Sequence, residues 1–166
     1  MLLNPYLFVW GSFWVCFVSG CGIYSFSGKA LPGHIRLVAI PLIENETLEF
    51  DLPDRIKERL QQEYLKSQTL KIGELGEAQS SLEIKILQFI DEPATYNAQE
   101  SVQEYRVLIQ LEVNFKDEVK DKILWQAQSL DGSGYYQHGL ETREQGKARA
   151  IDKLIEEILN KTVAGW

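Results

Sequence analysis

Cys21 is the residue of this 166-residue chain whose surroundings point most directly to a chemical modification. Segment 18–21 reads Val-Ser-Gly-Cys and closes an apolar run. An apolar leader that ends in small residues and then cysteine is typical of bacterial lipoproteins, in which the leader is cleaved before the cysteine and the cysteine is then acylated. The sequence therefore predicts a signal peptide over residues 1–20 and acyl chains on Cys21.

An uncleaved transmembrane anchor is the alternative interpretation of the same segment. A spanning helix needs about 20 apolar residues, whereas a signal peptide has an apolar region of roughly 7–15. Residues 7–18 fit the shorter length. The first basic side chain is Lys29, so the leader lacks the positive side chains usual at its start. The length favours cleavage, and the missing charge leaves the anchor as the alternative.

The two cysteines agree with a lipoprotein. Cys16 would leave with the leader and Cys21 would carry lipid, so the mature chain would hold neither a free thiol nor a disulfide. This suits an oxidising periplasm. Each buried CH₂ contributes about 0.8 kcal/mol, so several acyl chains would anchor the protein firmly. Gly22 rather than Asp follows the cysteine, which in enterobacterial lipoproteins permits passage to the outer membrane. We expect an outer-membrane lipoprotein on the periplasmic side.

Few other residues could do chemistry. His34 and His138 have no second His, Cys or carboxylate at metal-ligand spacing, and the sequence has no glycine-rich phosphate loop and no nucleophile elbow. Its carboxylates are numerous, but charges on helix faces are usually solvated. The net charge of −7 disfavours nucleic-acid binding, which depends on neutralising phosphates. We expect no enzyme activity, no metal, no cofactor and no nucleic-acid partner.

Three aromatic residues each have two interpretations. Tyr135 and Tyr136, beside Gly132 and Gly134, could stack on a ligand or close the end of a core. Trp166 could contact a partner or cap a helix. We favour the structural interpretation in all three cases.

Helical spacing of apolar residues predicts two helices. The first covers residues 52–65 and follows Asp51 and Pro53, which suit a first turn. Its apolar stripe is Leu52, Ile56, Leu60 and Tyr64. The second covers residues 142–163. Its apolar stripe is Ala148, Ile151, Leu154, Ile155, Ile158 and Leu159.

Strands are predicted on either side of the first helix. Residues 35–42 form a strand that Pro41 ends or places at an edge. A second strand begins at residue 82, has a bulge or two-sided burial at Leu87 and ends at the Asp-Glu-Pro of residues 91–93. Within residues 105–115 six apolar side chains occupy every second position, and Arg106, Gln110, Glu112 and Asn114 lie between them, which is typical of a half-buried antiparallel strand.

A charged turn and a partner strand follow. The turn covers residues 116–122, and the apolar side chains Ile123, Trp125 and Ala127 continue the alternation, which indicates a hairpin. The glycine- and serine-rich segments 25–33 and 131–139 are predicted to be loops.

These elements predict an α+β fold. We expect a two-layer sandwich with two α-helices packed on one face of a small, mostly antiparallel four-stranded sheet. The expected organisation is a signal peptide (1–20), a lipid-anchored tether (21–33) and one domain (34–166).

Three segments near the start of the mature chain form a recognisable pattern. Segment 21–28 reads Cys-Gly-Ile-Tyr-Ser-Phe-Ser-Gly, segment 31–35 reads Leu-Pro-Gly-His-Ile, and segment 38–47 reads Val-Ala-Ile-Pro-Leu-Ile-Glu-Asn-Glu-Thr. Together they resemble the lipopolysaccharide-assembly lipoprotein family (LptE). The resemblance continues through the first helix, the Glu-Tyr-Arg-Val of residues 104–107, Trp125 and the closing helix. It covers nearly all of the mature chain, and the family's fold is also helices on one face of a small sheet.

The resemblance implies a binding role without catalysis. Members of the family plug the lumen of a large outer-membrane β-barrel (LptD), help it to assemble and bind lipopolysaccharide on its way to the cell surface. A wedge in such a lumen should be polar on its outer face. The polar side chains of the strand over residues 105–115 fit this role, and the candidates for contact with the barrel are Arg106, Gln110 and Glu112.

The sequence departs from the family at the lipopolysaccharide contacts. The family's basic contact residues lie in the loops before the long strand and before the last helix. Here residues 91–104 contain no Lys or Arg, and the second loop offers only Arg143. Arg143 is therefore the candidate contact for lipopolysaccharide. Direct binding by an acidic chain would need a local basic patch, bridging divalent cations or the charges of the barrel.

Two other classes of protein remain as alternatives. Lipoprotein activators of peptidoglycan synthases and curli-type secretion lipoproteins share the Val-Ala-Ile-Pro…Asn-x-Thr start, but they usually carry further long βα units. The antiparallel hairpin predicted over residues 105–130 argues against them. A periplasmic hydrolase would need a catalytic constellation that the sequence does not offer.

Overall fold

The computed structural model describes residues 31–66 and 70–164. These residues contain two α-helices, α1 (Leu52–Lys66) and α2 (Arg143–Leu159), and a π-helical turn, Asn160–Ala164, continues α2. The six strands are β1 (Leu37–Ala39), β2 (Glu44–Asn45), β3 (Lys71–Ile72), β4 (Ser80–Tyr96), β5 (Val102–Asp117) and β6 (Lys122–Gln137). Residues 1–20 and most of the tether over 21–33 lie outside the described residues, so the expected boundaries of leader and tether stay predictions.

The prediction of a four-stranded, mostly antiparallel sheet is wrong, although the class α+β holds. The sheet has six strands and is mixed, in the order β3-β1-β4-β5-β6, with β2 pairing with β4 beyond the end of β1. β1 runs parallel to both β3 and β4, and β2 runs parallel to β4. β2 and β3 have two residues each. Strands this short carry no alternation that a sequence pattern could reveal.

The three long strands β4, β5 and β6 form an antiparallel meander. The predicted irregularity at Leu87 is confirmed, because the register between β4 and β5 shifts between Ile86 and Gln88. The prediction that residues 91–93 end this strand is wrong, since β4 continues through Pro93 to Tyr96. Beyond Ile86, β4 pairs with β5 alone, and proline is tolerated where a strand has a free edge.

The core lies between the two helices and one face of the sheet. The predicted stripe of α1 is confirmed, because all four of its side chains are buried. The apolar face of β5 is fully buried as well, through Val107, Ile109, Leu111, Val113 and Phe115. On α2, Ala148 is exposed and Ala150 is buried instead. The helical stripe was thus placed correctly for its larger members but not at its amino-terminal turn.

The prediction of a loop over residues 131–139 is wrong for most of its length, because β6 runs to Gln137. Gly132 and Gly134 lie inside the strand, directly beneath α2. A Cβ on Gly132 would lie 2.4 Å from the Ala150 carbonyl oxygen, and one on Gly134 would lie 2.1 Å from the Gly146 carbonyl oxygen. These glycines therefore allow the helix backbone to approach the strand, a role of strand glycine distinct from turn formation.

The start of α2 is fixed by a capping box. The Thr142 hydroxyl accepts from the Gln145 amide, and the Gln145 side chain accepts from the Thr142 amide. Such a cap typically contributes about 1 kcal/mol. In the described ranges, neither helix has the length and apolar character needed to cross a bilayer.

Candidate interaction surfaces

The face of the sheet opposite the helices is polar and open to solvent. We call this surface the open face. The predicted partner-facing residues Arg106, Gln110 and Glu112 all lie on it, half-buried, and alternate with the buried apolar residues of β5. The register extends the surface onto both neighbours of β5, since Arg106 lies opposite Glu92 of β4 and Tyr135 of β6.

Side-chain contacts hold the open face in place. Arg106 forms an ion pair with Glu92. Gln110 Nε2 donates to Ser129 Oγ over 2.9 Å and to Asp131 Oδ1 over 3.1 Å. These cross-strand contacts order the polar groups before any partner arrives, which lowers the entropy lost on binding.

Lys85 sits at the β2 side of the same face. Its Nζ lies 2.7 Å from Glu46 Oε1. The hydrogen bond to Glu46, together with the charges of Glu46, Glu44 and Glu112, raises the pKa of Lys85. Glu112 lies opposite Lys85 in the register. The open face is therefore a surface of mixed charge that can exchange hydrogen bonds and ion pairs with a polar wall.

Arg143, the predicted lipopolysaccharide contact, lies at the first turn of α2 in a network of ion pairs. Its guanidinium binds Glu49 Oε1 over 2.5 Å and Asp91 Oδ2 over 3.0 Å. The guanidinium also lies 4.7 Å from the ring centroid of Phe89, a cation–π geometry. Intramolecular partners therefore occupy Arg143, and a lipid phosphate would have to compete with two carboxylates for it.

Lys147, one turn further along α2, is the buried centre of this network. Its side chain is 3% exposed, and its Nζ lies within 3.2 Å of oxygens of Glu49, Asp51 and Glu144. Burial opposes the charge of Lys147, but hydrogen bonds to these three carboxylates outweigh it and raise the pKa of the amine. A buried charge needs such partners to remain ionised.

Glu49 links both cations. Its hydrogen bond to Arg143 is the main cause that lowers the pKa of its carboxyl group to about 2, and Lys147 adds to the effect against the opposing effect of burial. The Asn45 side chain donates to the Glu49 carbonyl over 3.0 Å, and Thr47 Oγ1 accepts from the Glu49 amide over 3.2 Å. The Asn-x-Thr motif thus shapes the loop that brings Glu49 to α2.

The aromatic residues divide between the two interpretations. Tyr136 stacks on Tyr105 with ring centroids 5.2 Å apart, and its hydroxyl donates to Asp91. Burial and the neighbouring Asp91 carboxylate raise the pKa of Tyr136 to about 12. Tyr136 therefore closes an end of the core. Tyr135 points to the open face and is 43% exposed. Trp166 lies outside the described residues.

Among the residues that the structure describes, His34 and His138 both have partners other than a group of metal ligands. His34 Nε2 lies 2.8 Å from Asp117 Oδ2, and His138 packs at an angle against Tyr105. Within the described ranges, no group of three His, Cys, Asp or Glu side chains could hold a metal ion. Cys21, the predicted lipidation site, lies outside these ranges.

Lys147 and Glu49 are not among the site residues that the sequence predicts. A signal for Lys147 was present, because the residue lies four positions before Ile151 and therefore on the buried stripe of α2. A lysine on a core stripe indicates an internal ion pair. Its partner Glu49 is 98 residues away in the chain, so no local pattern could identify it.

The comparison with protein families decides the identity of the chain. A model of the lipopolysaccharide-assembly family (LptE) matches residues 35–162. The chain belongs to this family. The match spans both α-helices and all six strands of the described structure, and it confirms the family resemblance of the sequence. LptE membership makes this chain a lipopolysaccharide-assembly protein.

Solved structures share the fold at low sequence identity. A hypothetical protein of Chlamydia trachomatis is 13% identical, with a TM-score of 0.58 over 76% of this chain and 95% of that chain. A Xanthomonas campestris protein is 10% identical, with a TM-score of 0.54 over 81% and 87% of the two chains. The PelC dodecamer of Paraburkholderia phytofirmans is 17% identical, with a TM-score of 0.51 over 83% and 96%. No curated protein sequence matches this LptE-family chain.

Proposed function

We propose that this protein is an outer-membrane lipoprotein that occupies the lumen of an LptD-type β-barrel, helps the barrel to assemble and supports lipopolysaccharide transport to the cell surface. Membership of the LptE family is the observation that carries the proposal. The open face supports it, because three long strands present ordered polar side chains that no helix covers. A barrel lumen is polar, so this surface is complementary to it.

The lipid anchor is the second part of the proposal. Acyl chains on Cys21 would hold the protein at the inner leaflet of the outer membrane after cleavage of residues 1–20. Ten positions separate Cys21 from Leu31, the first described residue. An extended segment of that length reaches at most about 35 Å. The domain would therefore stay close to the membrane in which the barrel is embedded.

We further propose that the protein acts by binding and not by catalysis. In the described ranges both histidines have structural partners, and the carboxylates with the most strongly lowered pKa values, Glu49 and Glu141, are held by arginines. Lowered carboxyl pKa values suit permanent ion pairs, whereas a catalytic acid or base requires a pKa near the working pH.

Direct contact between Arg143 and lipopolysaccharide stays a prediction, and it requires Arg143 to give up existing ion pairs. Arg143 can bind a lipid phosphate only by sharing or releasing Glu49 and Asp91. The alternative role as an activator of a peptidoglycan synthase or a curli-type secretion lipoprotein gains no support from the long antiparallel strands, which make up most of the sheet.

Site-specific photo-crosslinking in cells tests the placement in a barrel. A photoreactive residue at Gln110 or Gln126 on the open face should give an adduct with the barrel protein. Gln62, exposed on α1, is the matched control and should crosslink several-fold less. Equal adducts from Gln62 and the open-face positions, or adducts with a peptidoglycan synthase instead, would contradict the proposed orientation and partner.

A further inference from the structure

The described chain enters the domain at one end of the sheet. His34 contacts Asp117, the last residue of β5, and β1 begins at Leu37. The β5–β6 turn lies at the same end, because Asp117 pairs with Lys122, the first residue of β6. We call this end of the molecule the tether end, since the segment from Cys21 would arrive here.

Four exposed cations line the tether end. The register places Lys71 opposite Leu37 at the start of β1, and the Lys71 amide donates to the Arg36 carbonyl over 2.9 Å. Lys122 lies across from Asp117, and Lys120 lies in the turn between these strands. Neighbouring strands are about 4.8 Å apart, so the row from β3 to β6 spans roughly 20 Å. The tether-end cations are Arg36, Lys71, Lys120 and Lys122.

Nearby carboxylates are occupied by other partners. Asp117 contacts His34 and accepts from the amides of the turn. Asp121 forms an ion pair with Lys116 over 2.6 Å, and Glu118 accepts from Ser81 over 2.5 Å while also facing Lys116. Hence no ion pair within the described ranges neutralises any of the four tether-end cations.

The other lysines and arginines differ from the tether-end cations in how they are paired. Among the residues that the structure describes, every other Lys or Arg except Lys57 has a carboxylate partner. The only loop carboxylates near the tether end without an ion pair in these ranges are Glu74 and Glu77, which belong to the β3–β4 connection. In the described part of this acidic chain, whose net charge is −7 overall, four of the five cations without an ion pair therefore lie at the tether end.

Apolar side chains accompany these cations. Val119 in the β5–β6 turn is 66% exposed, and Leu75 in the β3–β4 connection is 71% exposed. Both line one open cleft together with Pro41. Exposed apolar residues beside free lysines are typical of a surface that meets a membrane interface, where apolar groups enter the headgroup region and lysines reach phosphates.

We propose that the tether end is a membrane-docking surface for anionic phospholipid headgroups. The tether-end cations bind the headgroups of the leaflet that holds the acylated Cys21, and Val119 enters the interface. The inference rests on the proposed lipid anchor, which brings this end within reach of the bilayer. Each cation near an anionic surface strengthens attachment roughly fivefold. Docking would orient the open face relative to the membrane, because it adds a second point of attachment to the lipid anchor.

Fluorescence quenching on vesicles tests the docking. The lipidated full-length product of the Val119→Cys variant carries a fluorophore at residue 119 and is reconstituted into vesicles of brominated phosphatidylcholine, with and without phosphatidylglycerol. We expect strong quenching that requires phosphatidylglycerol and disappears in high salt. A label at Gln99→Cys, in the β4–β5 turn at the opposite end, should stay unquenched.

Charge reversal supplies the matched comparison. K71E/K120E/K122E should reduce the ratio of docked to undocked protein at least tenfold, while K57E/K66E/K153E, with the same change in net charge, should leave it unchanged. Equal quenching at residues 99 and 119, or equal effects of the two triple variants, would overturn the docking surface. Vesicle flotation in high salt tests the lipid anchor separately from the docking surface. If the unsubstituted protein fails to float, the anchor and this proposal both fail, whereas flotation without docking overturns the docking surface alone.

Discussion

Glu49 shows how one side chain connects distant parts of this chain. It joins the loop before α1 to the first turn of α2, through Arg143 and Lys147. Its backbone is held by Asn45 and Thr47, so the Asn-x-Thr segment has a structural explanation here. Leu48 and Phe50, on either side of Glu49, are both exposed, whereas the Glu49 carboxylate is directed at the cations of α2.

The pH dependence of folding should depend on Glu49. The folded-state pKa of about 2 lies below the ordinary glutamate pKa of 4.5. The stabilisation is therefore fully present above pH 4.5 and is lost as the pH falls toward 2, with a total on the order of 3 kcal/mol. Urea unfolding followed by circular dichroism should show that Glu49→Gln is less stable than the unsubstituted protein at pH 6, and that the two converge near pH 2.

A matched substitution controls for the loss of one carboxylate. Glu83 is an exposed residue of β4 and forms no ion pair within the described ranges. The Glu83→Gln substitution should therefore leave the pH profile of stability unchanged. If Glu49→Gln and Glu83→Gln gave the same profile, the ion-pair network would not stabilise the fold.

The helices and strands that the sequence predicts correctly are those whose pattern depends on residues close together in the chain. The stripe of α1 and the alternation of β5 each lie within one continuous segment, so the sequence revealed both. The parallel pairing of β1 depends on β3 and β4, which both follow it in the chain only after β2 and α1. From the sequence alone the glycines of β6 predict a loop, because the helix α2 that packs on them lies outside this segment of the chain. Elements whose structure depends on pairing or packing with another element are therefore not predicted from the sequence.

Gly134→Ala tests the contact between β6 and α2. The new Cβ would lie 2.1 Å from the Gly146 carbonyl oxygen and 2.6 Å from the Ala150 amide nitrogen. Backbone atoms cannot turn aside as side chains can, so the helix must move away from the strand. We expect a loss of free energy of unfolding of about 3 kcal/mol or more, measured by urea unfolding.

Gly33→Ala is the control for the glycine substitution. A Cβ at Gly33 meets no heavy atom within 4 Å, so its effect should stay within about 0.5 kcal/mol. A Gly134→Ala protein as stable as Gly33→Ala would show that α2 does not lie this close to β6.

The two faces and the two ends of the whole domain differ in their polarity and in how their charges are paired. The helices cover one face of the sheet, and the open face keeps its polar groups in ordered contacts. The tether end carries free cations, while the opposite end holds Arg143 and Lys147 in ion pairs. This polarity fits a wedge that is anchored at one end and contacts a polar wall along its open face.

The amino terminus of the mature protein offers a direct check of the anchor. Mass spectrometry of the protein from membranes should find a peptide that starts at Cys21 and carries two or three acyl chains. Cys21→Ser should abolish this modification and release the processed domain from the membrane, or leave the leader uncleaved. An unmodified peptide that includes residues 16–21 in the unsubstituted protein would contradict the lipoprotein interpretation.

The central claim is that this LptE-family protein works inside an outer-membrane barrel. Affinity purification from detergent-solubilised outer membrane, followed by mass measurement of the intact complex, tests it most directly. We predict one copy of a large β-barrel protein for each copy of this chain, and less surface lipopolysaccharide when the chain is depleted. Recovery of the chain alone, or with a peptidoglycan synthase in place of a barrel, would contradict the account.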